Sequence, residues 1–194
     1  MTIAQEQHYY SPEEYLKMEV NSEEKHEYID GQIVLVPSET PKHNTVVGNF
    51  GATLLFAFKR QPYQVFILGQ RLWIPQKRMY VYPDVMAIAG KLEFAEGRRD
   101  TLINPVFIAE VLSKSTRSYD RDEKFAAYRS IPSFQEYILI DQYKIHVEQY
   151  CKTDHNKWIF SEYDDPDVML SLASVPCQVL LGDIYDKVDF GVEE

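Results

Sequence analysis

The sequence predicts an α/β fold: a mixed β-sheet flanked by α-helices and closed by a C-terminal β-meander. Three patterns predict it. Apolar side chains recur at helical spacing from Val46 to Phe58. Two apolar runs of strand length cover residues 85–89 and 106–112. Short strand-like runs at 137–140, 145–147 and 158–160 then follow one another across polar turns, including 152–156.

In chain order, Ser11-Pro12-Glu13-Glu14 combines a capping serine, a proline suited to the first helical position and a glutamate three residues after the serine, so a short helix begins there. The polar stretch 21–27 is read as a further helical turn. Residues 28–36 carry an Asp30-Gly31 turn among β-formers and read as a hairpin or strand ending at Pro37. After Pro41, Val46, Val47, Phe50, Leu54, Ala57 and Phe58 form the buried stripe of the principal helix, which Pro62 ends. Residues 63–68, 71–74 and 81–89 read as largely antiparallel strands, and 90–104 as a surface loop. A later helix is expected to start at Asp120, with Glu123 as its capping partner, and to stop near Ser130 because Pro132 follows; Arg121, Lys124 and Tyr128 would share one face.

At 194 residues with 45% hydrophobic content, the chain can bury a continuous core, and residues 1–194 are expected to form one domain. Two cysteines, Cys151 and Cys177, with no CxxC pair, encode neither a disulfide framework nor a zinc site. The polar start lacks a signal-peptide pattern and no apolar run approaches the ~20 residues that span a bilayer, so the expectation is a cytoplasmic protein with no membrane partner. A net charge of −10 opposes broad non-specific affinity for nucleic acid. Lys59, Arg60, Arg71, Lys77, Arg78, Arg98 and Arg99 leave room for a local basic surface in the first half.

Two acids carry the chemistry. Asp84 follows Pro83 at the head of one apolar strand, and Glu110 is embedded in another between Ala109 and Val111. A carboxylate inside an apolar strand is paired, at a strand end, or bound to a metal. Arg71, Arg117 and Lys124 are possible partners, but metal coordination accounts for both acids at once: on neighbouring strands they offer hard oxygen ligands to Mg²⁺ or Mn²⁺.

Pro83-Asp84, then Glu110-Val111-Leu112-Ser113, then Asp120, Lys124 and Tyr128 resemble the pattern of the Uma family of restriction endonucleases, within the PD-(D/E)XK nuclease superfamily. The likeness extends upstream through Glu27-Tyr28-Ile29-Asp30-Gly31 and His43 and downstream through residues 136–141, roughly four-fifths of the chain. It implies a restriction-endonuclease-like fold, acids that bind Mg²⁺, a nucleic-acid partner, DNA in the first instance, and a homodimer. It also implies a mechanism in which Asp84, Glu110 and the Val111 carbonyl hold the metal, with Glu27 completing its sphere from the first helix.

The sequence departs from the superfamily where the catalytic lysine normally stands two residues after the acid: that position is Leu112. Lys114 is on the same strand face but about 13 Å from Glu110 at ~3.3 Å per residue. Lys124, on the following helix, is the expected replacement. Tyr128 and Asp120 are secondary candidates, as is His43, which would contact phosphate, assist proton transfer or serve the helix start. The hydroxyls and cations of 113–118 suit a nucleic-acid backbone or an ordinary solvated loop. Two other functions fit the same residues: a nuclease-fold binding or assembly module without turnover, motivated by Leu112 and the acidic balance, and another metal-dependent phosphodiesterase such as an RNA-processing enzyme.

Overall fold

In the computed structural model, which describes residues 8–154 and 157–191, helix α1 (Pro12–Glu19) starts at its capping serine. Ser11 Oγ accepts the Glu14 N–H at 3.2 Å while the Glu14 carboxylate accepts the Ser11 N–H at 2.7 Å. The helix does not continue through 21–27. The chain turns instead and enters β1 (His26–Ile29), which pairs with β2 (Gln32–Leu35) across Asp30-Gly31. Both turn residues take positive φ, 41° and 100°, as a tight type I′ hairpin requires. Cross-strand pairing therefore overrides the polar composition of 25–27, and Glu27 lies on a strand, not a helix.

Helix α2 (Pro41–Ala57) is capped by Thr40, whose hydroxyl accepts the His43 N–H at 3.1 Å. Four strands follow: β3 (Tyr63–Ile67), β4 (Arg71–Ile74), β5 (Met79–Val81) and β6 (Val85–Ala89). The expected single strand 81–89 is thus two, broken at Tyr82-Pro83-Asp84, where Pro83 has no N–H for a ladder. The polar stretch 90–104, expected to be all surface loop, contains β7 (Thr101–Leu102), a buried strand parallel to β4. After β8 (Phe107–Leu112), a helical crossover runs through α3 (Arg117–Tyr119), a π-helical turn (Asp120–Lys124) and α4 (Phe125–Tyr128). It starts three residues before Asp120, which is buried within it and does not cap it. The chain then forms β9 (Glu136–Asp141), β10 (Val147–Asp154), β11 (Lys157–Tyr163), the hairpin β12 (Met169–Ser171) and β13 (Gln178–Leu180), and α5 (Leu181–Ile184). The turn expected at 152–156 falls partly outside the described residues.

Strands in the order β11-β10-β9-β8-β6-β3 make a six-stranded mixed sheet, in which β8 and β9 are parallel and the helical crossover joins them. The consecutive antiparallel strands β9, β10 and β11 are the expected meander. Side-chain alternation gives this sheet two apolar faces. Val85, Ala87, Phe107, Ala109 and Val111 meet α2 through Val46, Phe50 and Leu54, with α5 and the last hairpin on the same side. Met86, Ile88, Ile108 and Leu112 meet Tyr128 and Phe134 after the crossover, and Leu72 and Ile74 of a second, five-stranded sheet ordered β2-β1-β5-β4-β7. Glu110, between Ile108 and Leu112 in the alternation, points to this second side. Among the described residues no helix is long and apolar enough to cross a membrane.

Candidate active site

The ladder between β6 and β8 positions the two acids. Val85 pairs with Ala109 in antiparallel register, so Asp84, one step back on β6, falls opposite Glu110, one step forward on β8. Each residue braces the other. The Asp84 N–H donates to Glu110 Oε2 at 3.1 Å, and Asp84 Oδ2 accepts the Val111 N–H at 2.8 Å. The proline break leaves Asp84 at a strand end, where its carboxylate is partly exposed while that of Glu110 is buried.

The helical crossover brings the cation. Lys124 Nζ stands 3.3 Å from Glu110 Oε1, 3.4 Å from Glu27 Oε1 and 3.4 Å from Asp120 Oδ1. The contact with Asp120 is ionic only: Oδ1 is buried without a hydrogen-bond partner. Tyr128 donates its hydroxyl to Glu110 Oε1 at 2.6 Å, and the Tyr119 ring lies 5.5 Å from the ammonium. Lys124 and Tyr128 are both buried. The π-helical turn places Asp120 and Lys124 together under β1, which carries Glu27.

On the other side of Asp84, His43 Nε2 lies 3.1 Å from its Oδ2 and 3.8 Å from Glu39 Oε2. Burial alone would lower the His43 pKa, but the Asp84 hydrogen bond and the Asp84 and Glu39 charges raise it above its ordinary range. Glu27, His43, Asp84, Glu110, Val111, Asp120 and Lys124 all line one cavity of about 310 Å³.

This constellation can be set beside known proteins. Residues 12–181 match the model of the Uma2 family, described as "Putative restriction endonuclease". The chain belongs to the Uma2 family. An uncharacterized protein of Synechocystis sp., sll1609, is 39% identical over 149 residues, covering 77% of this chain and 84% of that protein. A second from the same organism, slr1290, is 29% identical over 182 residues and covers 93% of each. A crystal structure from Anabaena variabilis, described as a "putative nuclease belonging to DUF820", superposes with a TM-score of 0.75 at 19% identity, over 91% of this chain and 98% of that one. This Uma2 chain shares the α/β fold of that structure.

Lys114, the candidate on the same strand face, does not reach the acids: its ammonium lies 5.4 Å from the Tyr143 ring, beyond the end of β8. Glu110 pairs with neither suggested arginine, since Arg71 bonds Asp100 and Arg117 bonds Asp141. Leu112 is fully buried beside Ala127 and Tyr128, so the usual lysine position belongs to the core. Sequence reasoning missed Glu39 and Tyr119. The four-residue spacing from Glu39 to His43 was available as a signal; Tyr119 had none apart from its neighbour Asp120.

The donor chemistry fits a divalent cation. Five carboxylates, Glu27, Glu39, Asp84, Glu110 and Asp120, face one ammonium and one histidine, and the unbonded Asp120 oxygen adds to this excess of acceptors. They form no closed cage, because Lys124 stands between three of them. That suits Mg²⁺, which keeps several waters and uses one or two carboxylates. Burial pushes the Glu110 carboxyl up, Lys124 opposes this, and Asp84 and Asp120 add to it. A dication beside Asp84 would favour the ionised form. A second group, His146, Glu148 and Glu162, brings its ligand atoms within 4.8 Å of one another, but Arg121 already occupies the Glu148 carboxylate.

Proposed function

We propose that the protein is a Mg²⁺- or Mn²⁺-dependent endonuclease that hydrolyses phosphodiester bonds in DNA, with Asp84, Glu110 and Lys124 as its catalytic residues. The observation that carries this reading is the reciprocal brace between Asp84 and Glu110, which holds two carboxylates together where β6 begins beside β8, with a buried lysine 3.3 Å behind.

Asp84, Glu110 and the Val111 carbonyl hold the cation in this reading, and Glu27 is a further ligand candidate. When bound, the metal neutralises charge on the scissile phosphate and lowers the pKa of water. Hydrolysis joins the water oxygen to phosphorus, breaks the bond to the leaving oxygen and delivers a proton to that oxygen. Lys124 supplies the fixed positive charge: burial would lower its pKa, but Glu110, Glu27 and Asp120 raise it well above the ordinary value. It stabilises charge that grows on the phosphate oxygens. Tyr128, whose pKa burial and the neighbouring Glu110 raise, remains a phenol and orients Glu110 by donating to it. The working unit in this proposal is a homodimer, one protomer for each strand.

A second reading, a binding module without turnover, is favoured by one observation, the loss of the strand lysine to Leu112 in the core. One assay separates the two. Purified protein and an Asp84→Ala/Glu110→Ala double variant are incubated with plasmid, single-stranded DNA and RNA in Mg²⁺, Mn²⁺ or EDTA. The expected result is DNA cleavage by the wild type with a divalent cation, and none by the double variant or in EDTA. Equal activity in the two proteins sinks the catalytic assignment. Cleavage of RNA alone moves the substrate to the RNA-processing class, and binding without cleavage supports the module.

A further inference from the structure

The cavity that holds the acids has a second wall of opposite character. Ile29, Val34, Leu35, Val36 and Pro37, from the β1–β2 hairpin and the segment that leaves it, line the same cavity as Asp84 and Glu110. Val34 pairs with Glu27 across the ladder, so an apolar side chain stands on the same face as a carboxylate that contacts Lys124. Val34 is 43% and Leu35 50% exposed, so this wall keeps apolar surface in water at the rim of a charged site. Two tyrosines extend it: Tyr82, at the proline break before Asp84, and Tyr119, whose hydroxyl donates to Glu27 Oε2 at 3.4 Å. A second cavity, of about 460 Å³, meets the first at Asp84 and shares Leu35, Val36, Pro37 and Tyr82 with it. Together they form one trough that runs past Asp84 with the apolar wall along it.

The occupant of the wall follows from what the acids take. A phosphodiester held at Asp84 carries its base one sugar away, so that base lies within the same trough. Phosphate contacts do not supply the affinity there: five carboxylates face only Lys124 and His43 in the first cavity, and the chain carries a net charge of −10. Apolar and aromatic contact with the face of a base supplies it without a cationic surface. A base stacked in a duplex offers its edges and not its face. It reaches such a wall only when it is unpaired or turned out of the helix.

We propose that Val34, Leu35 and Pro37, with Tyr82, form a subsite for an unstacked nucleobase beside the bond to be cut, so that the protein prefers single-stranded, mismatched or locally opened DNA to a perfectly paired duplex. This rests on the nuclease reading above and names the class of DNA that the same site takes.

The test is fluorescence anisotropy of labelled oligonucleotides of one sequence with the full chain, in Ca²⁺ in place of Mg²⁺. The DNA is offered as a single strand, as a duplex with one central mismatch and as a fully paired duplex. Wild type is compared with Val34→Thr/Leu35→Gln and with Leu55→Gln/Phe56→Gln, a control that removes two exposed apolar side chains on α2. The wild type should bind the single strand and the mismatched duplex about tenfold tighter than the paired duplex, the scale of one base resting on an aromatic or apolar surface. In the hairpin variant that ratio should fall below about threefold, with affinity for the paired duplex unchanged, while the control keeps the wild-type ratio. Thermal unfolding checks that each variant is folded, and the single changes Val34→Thr and Leu35→Gln, each expected to lower the ratio in part, replace the double variant if it is not. A wild type that binds all three DNAs alike, or a hairpin variant that keeps the wild-type ratio, overturns the subsite and leaves the nuclease reading standing. If the ratio falls in the hairpin variant alone but the wild type cuts no DNA in Mg²⁺ or Mn²⁺, the subsite stands and the catalytic assignment falls. Absence of wild-type binding to any of the three at low salt overturns both.

Discussion

If the protein is the proposed nuclease, replacing Glu110 with alanine should lower DNA cleavage about 10³-fold, the scale on which loss of one preorganised electrostatic group slows an enzyme. The effect is large because Glu110 does three things. In the proposed site it would offer an oxygen to the cation; it also accepts the Asp84 N–H that fixes the second acid, and faces the Lys124 ammonium and the Tyr128 hydroxyl. Glu110→Gln separates these parts: the amide nearly matches the shape and can still accept one hydrogen bond, but it removes the anionic oxygen. Cleavage should therefore fall almost as far in Glu110→Gln as in Glu110→Ala. A single-turnover assay across Mg²⁺ concentration reads this directly, and a glutamine variant within threefold of wild type would reduce Glu110 to a packing residue.

The second large effect is on stability. Glu136 is fully buried at the start of β9 and has no cationic partner among the described residues; besides the Cys151 thiol at 3.6 Å, four donors hold its carboxylate. Gln149 donates at 2.6 Å, the Ala173 and Ser174 N–H groups at 3.0 and 2.8 Å, and the Ser174 hydroxyl at 2.7 Å. It thereby ties the loop between β12 and β13 to the edge of the meander. Truncation to alanine leaves those donors buried without acceptors, and unpaired buried groups cost about 1–3 kcal/mol each before relaxation. Glu136→Ala should lower stability by about 3–5 kcal/mol, the sum of several such unpaired donors after partial relaxation. Urea unfolding of the variant reads this; a loss below about 1 kcal/mol would mean that water replaces the carboxylate without strain. Cleavage by the surviving folded fraction should be unchanged, because Glu136 lies outside the acid cavity.

The two acids were legible in the sequence because each breaks a local rule. Asp84 sits where a proline interrupts a strand, and Glu110 is a charge inside an apolar run. Lys124 was legible only through the family pattern, since a single lysine on a short helix has no local signature of burial. What stayed hidden depended on pairings distant in sequence. Glu27 sits in a polar stretch that becomes β1 only because Glu27 pairs with Val34, and Thr101-Leu102 becomes a strand only by lying along β4. The early start of the crossover is hidden for the same reason. Asp120 is buried in the π-helical turn beside Lys124, and a capping pattern read from 120 to 123 cannot register it.

Calorimetric titration of Mn²⁺ into wild type and into Asp84→Ala/Glu110→Ala tests most directly whether these two acids form a shared metal site, and it does not depend on finding the right substrate. The wild type should show a saturable binding event that is lost in the double variant and restored to neither strength nor stoichiometry by added salt. Equal Mn²⁺ binding by both proteins would place any metal elsewhere and contradict the assignment of Asp84 and Glu110.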